Sequence, residues 1–98
     1  MFRILISKKS KSELKDVSDF YGLISLHLKS RFLLNFNNTI EELKLNPYFQ
    51  VRYDDFRMRQ IKNFPVMIHY VIFEETKTVK IYGIRFAKSN PENYPKIK

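Results

Sequence analysis

The spacing of apolar residues changes at Asn46-Pro47, and that change constrains the fold more than any other feature of the chain. Upstream, Leu14, Val17, Tyr21 and Ile24 recur every three or four residues, the stripe of an amphipathic helix. A second stripe follows at Leu28, Phe32, Phe36, Ile40 and Leu43, with Leu33 widening the apolar face. The residue before a proline avoids the helical region, so this second helix must end at Asn46. Gly22 weakens the first helix near its end, which places a break between Gly22 and Leu28. Two helices joined so closely must lie antiparallel, as a hairpin.

Downstream of Pro47 the period drops to about two, the period of strands. Strands are expected over Phe49–Tyr53, Phe56–Lys62, Val66–Phe73 and Thr78–Ala87. Asp54-Asp55, Asn63-Phe64-Pro65 and Glu74–Lys77 supply the turns between them. Val66–Phe73 is apolar without alternation, so it belongs in the sheet interior, covered on both faces. Alternation in the last strand sets Val79 and Ile81 on one face and Lys80, Tyr82, Ile84 and Phe86 on the other. Gly83 marks a bulge that shifts Arg85 relative to its neighbours.

At the start of the chain, Phe2–Ser7 reads as a short strand with Phe2, Ile4 and Ile6 on one face. Ser7 or Ser10 caps the first helix, and Glu13 stands in capping-box register to Ser10. The tail Ser89–Lys98, with Pro91 and Pro95, reads as an irregular arm. The expected architecture is therefore a single α+β domain over residues 1–98. It has an N-terminal strand, then a helical hairpin packed on one face of a small, mainly antiparallel sheet, the other face being partly free.

Composition narrows the function classes. With 98 residues, a second independent core is implausible. The chain has no Cys, which removes disulfides and thiolate zinc sites and agrees with a reducing compartment, the cytoplasm. Met1–Ser7 is too short for a signal peptide, and no run approaches a membrane span, so no membrane role is expected. The net charge of +8 favours an anionic partner: nucleic acid or an acidic protein. The cations gather at Lys8, Lys9 and Lys11, from Arg52 to Lys62, and from Arg85 to Lys98.

Arg57 and Arg59, one residue apart on a strand candidate, form the centre of the expected cationic surface, with Arg52, Lys62, Arg85 and Lys88 around them. Phe49, Tyr53, Phe56, Phe64, Tyr82 and Phe86 interleave with these arginines, a pattern that serves either an ordinary sheet core or base stacking. Of the two histidines, His27 lies between the helices as a surface or capping residue, and His69 in the central strand as a hydrogen-bonded one. Asp54 and Asp55 are adjacent and belong to turn chemistry rather than to a metal site, and no cofactor is implied.

The ordered set of residues resembles the RelE/ParE superfamily of small toxins from bacterial type II toxin–antitoxin systems, and the ParE (plasmid-stabilisation) branch in particular. The resemblance runs from Ile6-Ser7-Lys8-Lys9, Leu14 and Tyr21, through Arg31-Phe32-Leu33, Ile40-Glu41-Glu42-Leu43 and Asn46-Pro47, to Val79-x-Ile81 and Asn90-Pro91. Its sharpest part is Arg57-x-x-x-Ile61-x-x-Phe64-Pro65-x-x-Ile68-x-Tyr70. The resemblance implies a helical hairpin on an antiparallel sheet and a cognate antitoxin that wraps and neutralises the toxin, forming a hetero-oligomer.

It also implies one of two activities. ParE-like members act on DNA gyrase. RelE-like members cleave mRNA on the ribosome with a set of Lys, Arg and Tyr residues, to which Arg57, Arg59, Lys88 and Tyr94 would correspond. Met67, however, stands where those enzymes place an arginine. The antitoxin is expected to dock at Tyr48, Phe49 and Phe64, beside the end of the second helix.

Overall fold

One serine separates the two helices. Ser25 donates its backbone N–H to the Tyr21 carbonyl at 3.0 Å and accepts Leu28 N–H on its side-chain oxygen at 3.2 Å. It thus ends the first helix and caps the second, inside the interval where Gly22 pointed to a break.

The computed structural model describes residues 1–88 and residue 95. Its elements are β1 (Arg3–Ile6), α1 (Lys8–Ile24), α2 (Leu26–Leu45), β2 (Val51–Tyr53), β3 (Phe56–Gln60), β4 (Val66–Phe73), a 3-10 turn at Glu74–Thr76 and β5 (Thr78–Phe86). They form one sheet in the order β1-β5-β4-β3-β2. β1 runs parallel to β5, and the other neighbours are antiparallel. The central strand is the apolar run, as its lack of alternation requires.

The hairpin covers one sheet face. Val17, Tyr21, Phe32, Phe36 and Leu43 from the helices meet Val66, Ile68, Tyr70, Val79, Ile81 and Ile84 from the sheet. Tyr21, Phe32 and Phe64 meet with ring centroids 5.0–5.2 Å apart, contacts worth ~0.5–1.5 kcal/mol each beyond the area buried. Asp54 and Asn63 take positive φ (47° and 69°) in the two tight turns, a conformation that Asp and Asn tolerate better than other residues with a Cβ.

Two local expectations are corrected. His69 pairs with Gly83 but Tyr70 with Ile81, so Tyr82 is the extra residue of a β-bulge. The bulge reverses the alternation: Ile84 joins Val79 and Ile81 in the core, and Phe86, opposite Val66, shares their face. The second correction concerns the start of α1. Ser7 is the cap, with Ser10 N–H at 3.1 Å from its Oγ, and Glu13 closes no capping box. Glu13 Oε1 instead accepts a bond from Ile84 N at 3.2 Å, where β5 has run past the end of β1 and its edge is otherwise unpaired by a strand.

Candidate functional site

Register decides what Arg57 and Arg59 do. Arg57 lies opposite Tyr70 and Arg59 opposite Ile68, so both side chains emerge on the helix side of the sheet. There they meet the C-terminal end of α2 and the segment that follows it. Arg57 Nη1 donates to the Phe49 carbonyl at 2.6 Å, with its guanidinium carbon 5.6 Å from the centre of the Tyr48 ring. Arg59 binds Glu42 through Nε and Nη2 at 2.7 and 3.1 Å and lies 4.2 Å over the Phe49 ring. The Glu42 carboxylate raises the Arg59 pKa further above its ordinary value, so this arginine carries no proton chemistry. Tyr70 completes the arrangement from beneath, donating its hydroxyl to the Pro47 carbonyl at 2.7 Å.

The opposite face is built differently. Phe56, Met58 and Gln60 from β3 share it with Met67, His69 and Val71 from β4 and with Gly83 and Arg85 from β5. Tyr53 stacks on Phe56 at 4.9 Å, and Tyr82 meets Phe56 edge-on at 5.4 Å. His69 is buried, its Nδ1 2.9 Å from the Tyr53 hydroxyl, which also lies 3.4 Å from the Pro95 carbonyl. Burial, helped by the charge of Arg85, lowers the His69 pKa to about 4, so its ring is neutral at neutral pH. Arg85 is itself paired: its Nε lies 2.9 Å from Glu13 Oε2, a charge contact whose angle falls short of a hydrogen bond.

The remaining expected site residues are scattered. Arg52, Lys62 and Lys88 are exposed, and none has an ion pair among the described residues. Lys62 borders a cleft of about 440 Å³ lined also by Asn35, Asn38, Glu42, Arg59 and Gln60. Tyr48 is half-exposed and donates to Glu74 Oε1 at 2.6 Å, and Phe49 is partly buried under Arg59. Phe64, by contrast, is 4% exposed and packed between Tyr21 and Phe32, which leaves it no surface for a partner. Tyr94 lies outside the described residues. His27 is exposed and far from any pairing with His69 in the sheet. Among the described residues, no three of His, Asp and Glu come together in a way that holds a metal ion, and no helix is long and apolar enough to cross a membrane.

Sequence reasoning missed the two ion pairs, Glu42–Arg59 and Glu13–Arg85, because each joins a helix to a distant strand. In the sequence, Glu13 reads as a capping-box partner of Ser10, which hides its pairing with Arg85.

These features define a class: a two-layer α+β domain whose hairpin covers one sheet face and whose arginine pair locks the post-hairpin segment to the sheet. No protein-family model matches the chain, and no curated protein matches it in sequence. Solved structures do match it in three dimensions. A chain of the chromosomal ParDE TA system from P. aeruginosa superposes with a TM-score of 0.75 at 14% identity, over 90% of this chain and 98% of that one. The isolated E. coli RelE toxin gives 0.63 at 8% identity, over 94% and 90%. The YoeB/ParE toxin from Agrobacterium tumefaciens gives 0.56 at 15% identity, over 87% and 98%. The chain has the fold of the RelE/ParE toxins.

Proposed function

We propose that this chain is the toxin of a type II toxin–antitoxin pair, a ParE-like inhibitor that acts on its target, DNA gyrase, through protein contacts and is neutralised by a cognate antitoxin in the cytoplasm. The shared fold supports the toxin class. One observation carries the choice of a non-hydrolytic mode: Arg57 and Arg59 stand on the helix side of the sheet, tied to the Phe49 carbonyl and to Glu42. A phosphate-cleaving site needs cations aimed at the developing charge together with a group able to move a proton. On the opposite face, Arg85 is held by Glu13, Met58 and Met67 carry no charge, and the imidazole there, His69, is buried and neutral, its pKa lowered to about 4 by burial and by Arg85.

In this reading, the exposed cations Arg52, Lys62 and Lys88 contact the target or acidic segments of the antitoxin, and Tyr48 with Phe49 forms part of the antitoxin's docking surface. Gyrase supercoiling in the presence of the purified chain, run beside a translating extract, tests it. Inhibited supercoiling with intact mRNA is the expected result. Cleaved mRNA with normal supercoiling would establish the RelE-like endonuclease instead. Unimpaired growth on expression without a partner would remove both toxin readings.

A further inference from the structure

The apolar stripe of α1 outlasts the sheet beneath it. Its last member in the core is Tyr21, packed on Phe64 of the β3–β4 turn. Leu23 and Ile24 follow, 88% and 62% exposed, and Leu26 opens α2 at 77%. Phe20 is half-exposed and stands three and four residues before Leu23 and Ile24, so the three share one side of α1. The hairpin thus ends in an apolar knob, about one helical turn (~5 Å) beyond the last residue that the core holds.

Cations surround this knob. Ala87 N–H donates to the Pro65 carbonyl at 2.8 Å, and the Phe86 ring meets that of Phe20 at 5.5 Å, so the β3–β4 turn and the end of β5 come together beside it. They bring Lys62 and Lys88 to this end of the molecule, and Arg31 stands in the second turn of α2. All three are exposed, and none has an ion pair among the described residues. Asp19, the last acid of α1, bridges Lys15 at 2.7 Å and Lys29 at 3.3 Å, so its charge is already balanced.

We propose that the hairpin tip is a membrane-surface anchor: Leu23, Ile24 and Leu26 enter the headgroup region of an anionic phospholipid bilayer, and Lys62, Lys88 and Arg31 meet its phosphates. This does not depend on the toxin reading; in a toxin, Lys62 and Lys88 would serve bilayer and protein partner in turn. An apolar tip with a cationic collar matches acyl chains beneath a layer of negative charge. The shape favours lipid over protein. Side chains so exposed form a convex knob, around which a fluid surface closes, whereas a protein partner must bring a socket shaped to it. An anchor of this kind needs no spanning helix, and no described helix is long and apolar enough to be one. Tyr48 and Phe49 lie beyond the far end of α2, whose 20 residues span about 30 Å, so they stay clear of the bilayer.

The chain contains no Trp, so one placed at the tip reports on that site alone. Leu26→Trp and, separately, Leu23→Trp are made in the full chain, at exposed positions that should leave the urea midpoint unchanged. Vesicles of phosphatidylcholine containing phosphatidylglycerol are compared with vesicles of phosphatidylcholine alone. With the anionic vesicles, both Trp variants should shift their emission to the blue and be quenched by brominated acyl chains. In the native background, Leu23→Ser with Leu26→Ser, and separately Lys62→Glu with Lys88→Glu, should each lower co-sedimentation with these vesicles by about tenfold or more. Binding with no blue shift at either Trp would place the contact on basic charge elsewhere and overturn the proposal. Undiminished binding by the double Ser variant overturns it as well. So does a failure of the native chain to bind anionic vesicles at low salt, which would leave the knob to a protein partner.

Discussion

Arg59 grips Glu42 at two points, Nε to Oε1 at 2.7 Å and Nη2 to Oε2 at 3.1 Å, while its guanidinium lies 4.2 Å over the ring of Phe49. The pair fastens the last turns of α2 to β3 and presses Phe49 onto the sheet beside it. The side chains are 38% and 45% exposed, so water screens much of their attraction. A double-mutant cycle of Arg59→Met and Glu42→Gln, read from urea unfolding, should give a coupling of about 0.5–1 kcal/mol, the upper part of the range for exposed pairs. Strict additivity would mean that the grip does not hold the segment.

Beneath the same segment, Tyr70 donates its buried hydroxyl to the Pro47 carbonyl at 2.7 Å. Tyr70→Phe keeps the ring and strands the carbonyl, so it should cost roughly 1–3 kcal/mol in denaturant unfolding. Burial pushes the Tyr70 pKa up to about 12, above the ordinary value near 10. A raised folded-state pKa gives stability that is complete below pH ~10 and is lost as pH climbs through the folded value. The native chain should therefore weaken between pH ~10 and ~12, and Tyr70→Phe should weaken less across that window. Equal alkaline slopes in the two proteins would contradict the assignment.

Much of this fold was legible in the sequence because its strongest signals are periodic. The two helical stripes, the stop at Asn46-Pro47 and the unbroken apolar run Val66–Phe73 each follow from one local rule, and the structure follows them. What escaped is non-local. Arg57 and Arg59 read as a cationic pair because the acids near them in sequence, Asp54 and Asp55, belong to the turn. Their partners, Glu42 and the Phe49 carbonyl, are brought in by the packing of the hairpin. The arm read at Ser89–Lys98 lies outside the described residues except for Pro95.

The bulge shows the limit of period counting most directly. Gly83 signalled an irregularity, but the inserted residue is Tyr82, and the insertion reverses every side chain that follows. Ile84, 1% exposed, is consequently a core residue. Ile84→Ala should cost about 2–5 kcal/mol, as large-to-small core substitutions do. A cost below about 0.5 kcal/mol, typical of surface positions, would return Ile84 to the open face and remove the bulge.

The acid side of the stability curve belongs to His69. Burial, with Arg85 adding like charge, lowers its pKa to about 4 from an ordinary value near 6.5. A folded-state pKa below the unfolded one means that the unfolded chain binds the proton first. The resulting stability is complete above pH ~6.5 and is lost as pH falls through the folded value. Between pH ~6.5 and ~4, each unit of pH should remove up to about 1.4 kcal/mol through this one group. His69→Gln retains a hydrogen-bonding partner for Tyr53 but cannot titrate, so its stability should stay nearly level over the same interval, whatever its absolute value. Urea midpoints for both proteins at half-unit steps of pH measure this directly. A native curve as level as that of His69→Gln would show that the imidazole is already solvated in the folded protein, and the buried contact with Tyr53 at 2.9 Å would have to be abandoned.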